Sequence, residues 1–190
     1  MIPFNRLGSL FRAFGGMIYT QEVRVRLSAI GRTLGPKARV LDLGGGTGVL
    51  ADLIYRVRQD LVCFVVDPAL GMVGKGSRHI RKAAGIAESL PLKDGTFEAV
   101  LIGDALHHFN DPLGAILEVM RVLKSGGILF IFDIDPHVSL GKVICRAERL
   151  LREPARFRSP EELNKTLTEY GFQVRIDRYD WRYSITAVME

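Results

Sequence analysis

Four stretches of this chain, ARVLDL, LVCFVVD, FEAVLIG and GILFIFDI, are apolar at nearly every position and are separated by segments whose apolar residues fall at helical spacing. A strand with one face in water alternates apolar and polar residues, whereas a strand apolar throughout is buried on both faces. Such strands alternating with helices specify a mostly parallel sheet covered by helices on each side. Thr20 to Leu34 supplies a leading helix, with Val23, Leu27, Ile30 and Leu34 spaced by four, three and four. VLADLIYRVR is the helix after the first strand, with Asp52 in its first turn and Arg56 and Arg58 in its last, as the macrodipole favours. Asp67-Pro68 opens a glycine-interrupted helix expected to end near Lys82, and AAGIA is expected as a brief third strand. Asp111-Pro112 opens a helix expected to run to Lys124, closed by Gly126-Gly127. Ser159-Pro160-Glu161-Glu162 combines an N-cap, a proline at the first helical position and the glutamate of a capping box; Gly171 stops that helix. QVRIDRYDW and YSITAVM then pair as an antiparallel hairpin at the sheet edge.

Length and composition agree with one fold running through the chain. The 190 residues are 47% hydrophobic and 25% charged, which suits a single domain over residues 1–190 and leaves no long disordered arm. Within it, residues 1–19 are expected as a lid, 20–35 as the leading helix, 37–134 as a cofactor-binding core and 135–190 as C-terminal helices and hairpin. The lid reading rests on Phe4, Leu7, Phe11, Phe14 and Ile18 at near-helical spacing; a cleaved transit peptide is the weaker alternative. Cys63 and Cys145 sit in apolar or helical stretches and read as packed thiols, in keeping with the reducing cytoplasm. No apolar run approaches the roughly 18 residues that cross a bilayer.

The stretch VLDLGGGTG places Asp42 at the end of a strand and Gly44, Gly46 and Gly48 in the turn beyond it. A glycine turn lets a ligand touch the backbone, and it serves a dinucleotide, an adenosyl group or plain strand-to-helix packing. Two features narrow the choice. The spacing G-x-G-x-G is not the G-x-G-x-x-G of a nicotinamide cofactor, and an acid two residues before the first glycine suits a cationic amino group better than a pyrophosphate. Asp67, nineteen residues after Gly48, ends the second strand, where a carboxylate can accept both hydroxyls of a ribose. Without a ligand, the same two acids would serve as turn or helix caps.

VLDLGGGTG, VVDPAL, GIAESLPLKDGTFEAVLIGDALHHFNDP and LKSGGILFIFD, taken together, resemble the successive motifs of the class I S-adenosylmethionine-dependent methyltransferases, in the small-molecule branch that includes quinone-biosynthesis enzymes. The resemblance is close over residues 37 to 134 and looser over the C-terminal GF…WRYSITAV. It implies an α/β, Rossmann-like, doubly wound, mostly parallel seven-stranded sheet with the antiparallel hairpin at one edge and helices on both faces. It also implies S-adenosylmethionine as cofactor and no metal. Asp42 with the backbone of Leu43, Gly44, Gly45 and Gly46 would hold the methionine end, Asp67 the ribose, Pro68 would lie beside the adenine, and Ala87 would offer its backbone to the base. Many relatives carry an acid where this chain has Ile86, so either Glu88 takes over or apolar contact holds the base. Asp104, His107 and His108 would lie near the chemistry, with His108 the catalytic candidate; in extended chain only one of two adjacent histidines can face the substrate.

Methyl transfer from a sulfonium is an in-line displacement with a good leaving group, so positioning alone can supply about 7 to 11 kcal/mol. A base is needed only for a protonated acceptor, and His108 or Tyr19 could act as one. The place of an Asp/Asn-Pro-Pro-Tyr segment for planar amino groups reads GDALHHF, neither cysteine follows a proline as cytosine C5 chemistry requires, and two cysteines are too few for arsenic. A small-molecule oxygen or carbon acceptor remains. A non-enzymatic adenosylmethionine-binding protein and an RNA methyltransferase are the alternatives, the second because Lys142, Arg146, Arg149, Arg152, Arg156 and Arg158 cluster against only Glu148 and Glu153. No nucleic-acid module is present, so nucleic acid is not the expected partner; the same cluster could meet a membrane surface.

Overall fold

The computed structural model describes residues 19–69, 71, 77–150 and 156–190. Its described helices are α1 (Gln21–Thr33), α2 (Val49–Val57), α3 (Pro112–Val122), α4 (Ser139–Leu150) and α5 (Pro160–Glu169), with a 3₁₀ turn at Leu106–His108. The strands are β1 (Arg39–Leu43), β2 (Val62–Asp67), β3 (Arg81–Ala84), β4 (Phe97–Gly103), β5 (Leu123–Ile134), β6 (Phe172–Arg178) and β7 (Arg182–Met189). They form one seven-stranded sheet in the order β3-β2-β1-β4-β5-β7-β6. The first five run parallel, and β7 enters antiparallel between β5 and β6. This is the expected Rossmann-like α/β sheet with its C-terminal hairpin at the edge.

The apolar strands lie where their composition requires. Val40, Leu41, Val100, Leu101, Phe130 and Ile131 in the central strands β1, β4 and β5 are wholly inaccessible to solvent. One core holds Val23, Leu27, Ile30 and Ile54 from α1 and α2 against one face of the sheet. The other holds Ile116, Val119, Leu163 and Leu167 from α3 and α5 against the opposite face. The capping box of α5 is formed in both directions: the Glu162 N–H donates to Ser159 Oγ at 3.2 Å, and the Ser159 N–H donates to Glu162 Oε2 at 3.2 Å. Such a cap is worth about 1 kcal/mol.

Two element boundaries differ from expectation. Lys82 lies in β3, not at a helix end, and the third strand is Arg81–Ala84 instead of AAGIA. This strand closes one edge of the sheet and is half-exposed, so it needs no apolar run and its polar sequence reads as helix; Arg81 lies over the Phe64 ring at 5.3 Å. Helix α3 stops at Val122 instead of Lys124, because Leu123 already pairs with Phe97 of β4. Gly126, at φ +73°, then lets the chain bulge before Ile128 resumes the pairing with Ala99. The expected lid falls outside the described residues, except Tyr19, and so does most of the helix after Pro68.

Candidate functional site

From β1 the chain winds outward through β2 to β3, while β4 and β5 extend the sheet the other way, so neighbouring strands β1 and β4 flank the point where the winding reverses. Ligands of doubly wound sheets bind in the crevice beyond the carboxyl ends of the strands at such a switch. The turn Gly44–Gly48 leaves β1 there, and Asp104 leaves β4 beside it. Gly44 sits at φ +68°, and a Cβ on it would lie 2.9 Å from the Ala105 Cβ, so only glycine lets the two loops close together. Gly45 covers Asp42: a Cβ there would lie 2.5 Å from Asp42 Oδ1.

Asp42 is 1% exposed. Its Oδ2 accepts the Ala51 N–H at 3.0 Å, and its buried Oδ1 has no partner within the protein. Burial pushes the carboxyl up to about 7, opposed by the Ala51 N–H and reinforced by the charge of Asp67. Asp67 accepts the Gly46 N–H on Oδ2 at 2.9 Å and the Ala69 N–H on Oδ1 at 2.7 Å. It therefore caps the chain beyond Pro68 and also braces the glycine turn. Burial raises its carboxyl pKa, and the two N–H groups hold the rise down.

The loop after β3 comes alongside, with the Gly85 N–H donating to the Asp67 carbonyl at 3.4 Å. Ala87 is buried, whereas Pro68 is exposed and Ile86 is 49% exposed. Glu88 gives its Oε1 to the Asp111 N–H at 3.0 Å, which ties it to the start of α3. Glu88 is thus engaged through Oε1 with the start of α3, and Ile86 stands exposed beside it.

On the β4 side, Asp104 adopts φ +54°, uncommon for a residue with a side chain, and its N–H donates to the Phe132 carbonyl at 2.8 Å. Arg182, carried in by the hairpin, stands with Nη2 3.8 Å from Asp104 Oδ1 and is held over the rings of Trp181 and Phe132. Tyr19 is buried and its hydroxyl donates to the Gly103 carbonyl at 3.2 Å. Burial, with Asp104 and Asp42 adding to it, raises its pKa well above the ordinary phenol value, so Tyr19 is no base near neutral pH.

The paired histidines correct another expectation. They lie in the 3₁₀ turn and not in extended chain, with ring centroids 4.0 Å apart. Burial nevertheless separates their roles. His107 is 1% exposed, has Nδ1 2.6 Å from Asp133 Oδ1 and stacks on Phe157 at 4.3 Å, while His108 is half-buried at the crevice. Sequence reasoning passed over Asp133, Arg182 and Phe157. One signal could have found Asp133: each of the four apolar parallel strands has an aspartate at its carboxyl end, namely Asp42, Asp67, Asp104 and Asp133. Among the described residues no group of three His, Cys, Asp or Glu side chains gathers to hold a metal.

Comparisons with known proteins agree with this geometry. Residues 41–131 match the family described as a methyltransferase domain. The chain is 36% identical over 121 residues to a demethylmenaquinone methyltransferase of Renibacterium salmoninarum, covering 62% of this chain and 49% of that protein. It is 38% identical over 148 residues to the uncharacterized methyltransferase YcgJ of Bacillus subtilis, covering 69% of this chain and 53% of that one. The chain thus spans about half the length of these curated relatives. Among solved structures, a Thermotoga maritima S-adenosylmethionine-dependent methyltransferase, described as a possible histamine N-methyltransferase, superposes with a TM-score of 0.75 at 22% identity over 99% of both chains. In its glycine turn, strand-end acids and strand order the chain is similar to the S-adenosylmethionine-dependent methyltransferases, in sequence over residues 41–131 and in fold throughout the sheet.

Proposed function

We propose that this protein transfers a methyl group from S-adenosylmethionine to a small organic molecule, on oxygen or carbon. The observation that carries the reading is the unpartnered Oδ1 of Asp42, buried beneath a glycine turn at the switch point of the sheet. A buried carboxylate oxygen without a donor is costly, and a cationic ammonium arriving over Gly44 and Gly46 would satisfy it. Asp67 would take the ribose hydroxyls on the lone pairs its two backbone donors leave. Pro68, Ile86 and Ala87 would flank the adenine, and Asp104 would face the methionine side of the cofactor.

When bound, the cofactor supplies an electrophilic methyl on a positively charged sulfur. The protein's part is to hold the acceptor in line and exclude water, where orientation contributes most of the acceleration. His108, half-buried at the crevice, would take a proton from an acceptor that arrives protonated. The names of the demethylmenaquinone methyltransferases among the relatives favour a quinone as the small-molecule acceptor. Cys63 and Cys145, both buried, fit a reducing, cytoplasmic setting.

Thermal unfolding with and without ligands tests the reading. S-adenosylhomocysteine at 100 times its dissociation constant should stabilise the fold by about 2.7 kcal/mol, while NAD and NADP leave the transition where it is. Equal stabilisation by NAD would sink the proposal.

A further inference from the structure

Helix α4 has more faces than the methyl-transfer reading uses. At about 100° per residue, Gly141, Ile144 and Cys145 share the side turned toward the body of the protein: Gly141 and Cys145 are buried and Ile144 is half-buried. A second side carries Leu140, Val143, Ala147 and Leu150, all exposed, with Leu140 at 50%, Val143 at 60% and Leu150 at 83%. The third side carries Lys142 and Arg146, also exposed. Ion pairs among the described residues engage Arg26, Arg56, Arg58, Arg121, Lys124, Arg175, Arg178 and Arg182, and include neither Lys142 nor Arg146.

A helix buried on one side only has no folding reason to place large apolar residues outward in a continuous row. A row of that kind bordered by unpaired cations is what an interfacial helix presents to a bilayer. The charge has the matching sign: residues 142–158 hold six basic residues against two acidic ones, and the chain carries a formal net charge of +5. Among the described residues no helix is long and apolar enough to span a membrane, so the contact would be peripheral. The helix begins five residues after β5 ends, and Gly141 packs on the Asp135 carbonyl, so α4 starts at the same end of the sheet as Asp42, Asp104 and His108.

We propose that α4 seats the protein on an anionic lipid bilayer, with Leu140, Val143, Ala147 and Leu150 entering the boundary between headgroups and acyl chains and Lys142 and Arg146 at the level of the lipid phosphates. That orientation brings the mouth of the candidate site to the membrane. The consequence for the acceptor, a molecule drawn from the bilayer, rests on the methyl-transfer reading; the docking itself does not.

Flotation of the full chain with vesicles tests it without any cofactor, so its outcome is separate from that of the methyl-transfer reading. The protein should float with phosphatidylcholine vesicles containing phosphatidylglycerol, less so as salt rises, and stay behind with phosphatidylcholine alone. Lys142→Gln with Arg146→Gln should weaken binding by about 25-fold, roughly five-fold per charge. Leu140→Glu with Val143→Glu should abolish it, while the urea midpoint stays at the parental value because neither side chain is in the core. No flotation with either vesicle would overturn the proposal. So would charge-dependent binding that ignores the Leu140 and Val143 changes, flotation that begins only after residues 1–18 are removed, or salt-sensitive binding of single-stranded RNA without vesicle binding.

Discussion

The two walls of the crevice are built by different means. On the β1 side, the turn Gly44–Gly48, Asp42 and Asp67 lie within one strand-turn-helix unit and the strand beside it, and their bonds go to backbone N–H groups of Gly46, Ala51 and Ala69. On the β4 side, His107 takes its partner from β5, Asp104 meets an arginine from the hairpin, and Phe157 arrives from the segment before α5. The first wall is local chemistry repeated wherever such a turn forms. The second is assembled from distant parts, so it is where one methyltransferase can come to differ from another in its acceptor.

The largest expected effect breaks the β4 wall. Asp133 is buried, accepts the Ile134 N–H at 2.7 Å and pairs with His107, so Asp133→Ala removes a contact of the buried imidazole. Removing one partner of a buried hydrogen bond costs about 1 to 3 kcal/mol. Urea unfolding should show a loss of that order, with cofactor affinity retained in the folded fraction; a loss below about 1 kcal/mol would mean that the pair holds nothing together.

His108→Ala comes next. With a protonated acceptor, removal of a general base lowers the rate by about 100-fold or more, and S-adenosylhomocysteine affinity should not move. Single-turnover kinetics and calorimetry on the same variant separate the two. An unchanged rate would leave His108 as a wall residue.

Asp42 sharpens the β1 side and carries a pH dependence. Its carboxyl is raised from an ordinary 3.8 to about 7, so the folded chain keeps a proton that the unfolded chain releases. Folding takes up that proton, and the contribution to stability of the ligand-free protein therefore falls as pH rises between about 4 and 7. A cation bound at Oδ1 would favour the carboxylate and expel the proton, so cofactor affinity should increase as pH rises through about 7. Asp42→Asn should weaken binding by roughly 10-fold to 150-fold and flatten both pH trends, as read by urea titration and calorimetry across that range.

The same contrast explains what could be read from the sequence. Asp42, the glycine spacing and the capping box at Ser159 are legible because backbone geometry demands those residue types within a few positions of one another. Apolar strands reveal themselves by needing two buried faces; β3, half-exposed at the edge, has no such need, and its polar residues passed for the end of a helix. The partners His107 with Asp133 and Asp104 with Arg182 lie 26 and 78 residues apart, and nothing local to a histidine or an aspartate states which distant strand will deliver its partner. The histidine pair was misread for a related reason: a three-residue 3₁₀ turn leaves no periodicity to detect.

Asp67 gives the smallest effect and tests whether the local wall is a scaffold or a ligand site. Its carboxylate receives two backbone N–H groups, from Gly46 and Ala69, so it is structural whatever else it does. Serine at this position can accept from Ala69 as a cap but cannot also reach Gly46, so Asp67→Ser leaves one N–H group to find water. That should cost about 1 kcal/mol of stability. If Asp67 also accepts the ribose hydroxyls, the serine variant loses those charge-assisted bonds, and binding of S-adenosylhomocysteine should weaken by roughly 10-fold or more beyond anything the stability loss explains. Asp67→Asn refines the comparison: its amide oxygen can keep one of the two N–H partners, and its NH₂ opposes the other. Both variants should fold, and the ranking of their affinities, parent above asparagine above serine, should appear in calorimetry at a temperature well below their unfolding. Parental affinity in the serine variant, alongside a measurable loss of stability, would make Asp67 a brace of the glycine turn and leave Asp42 as the single acid that holds the cofactor.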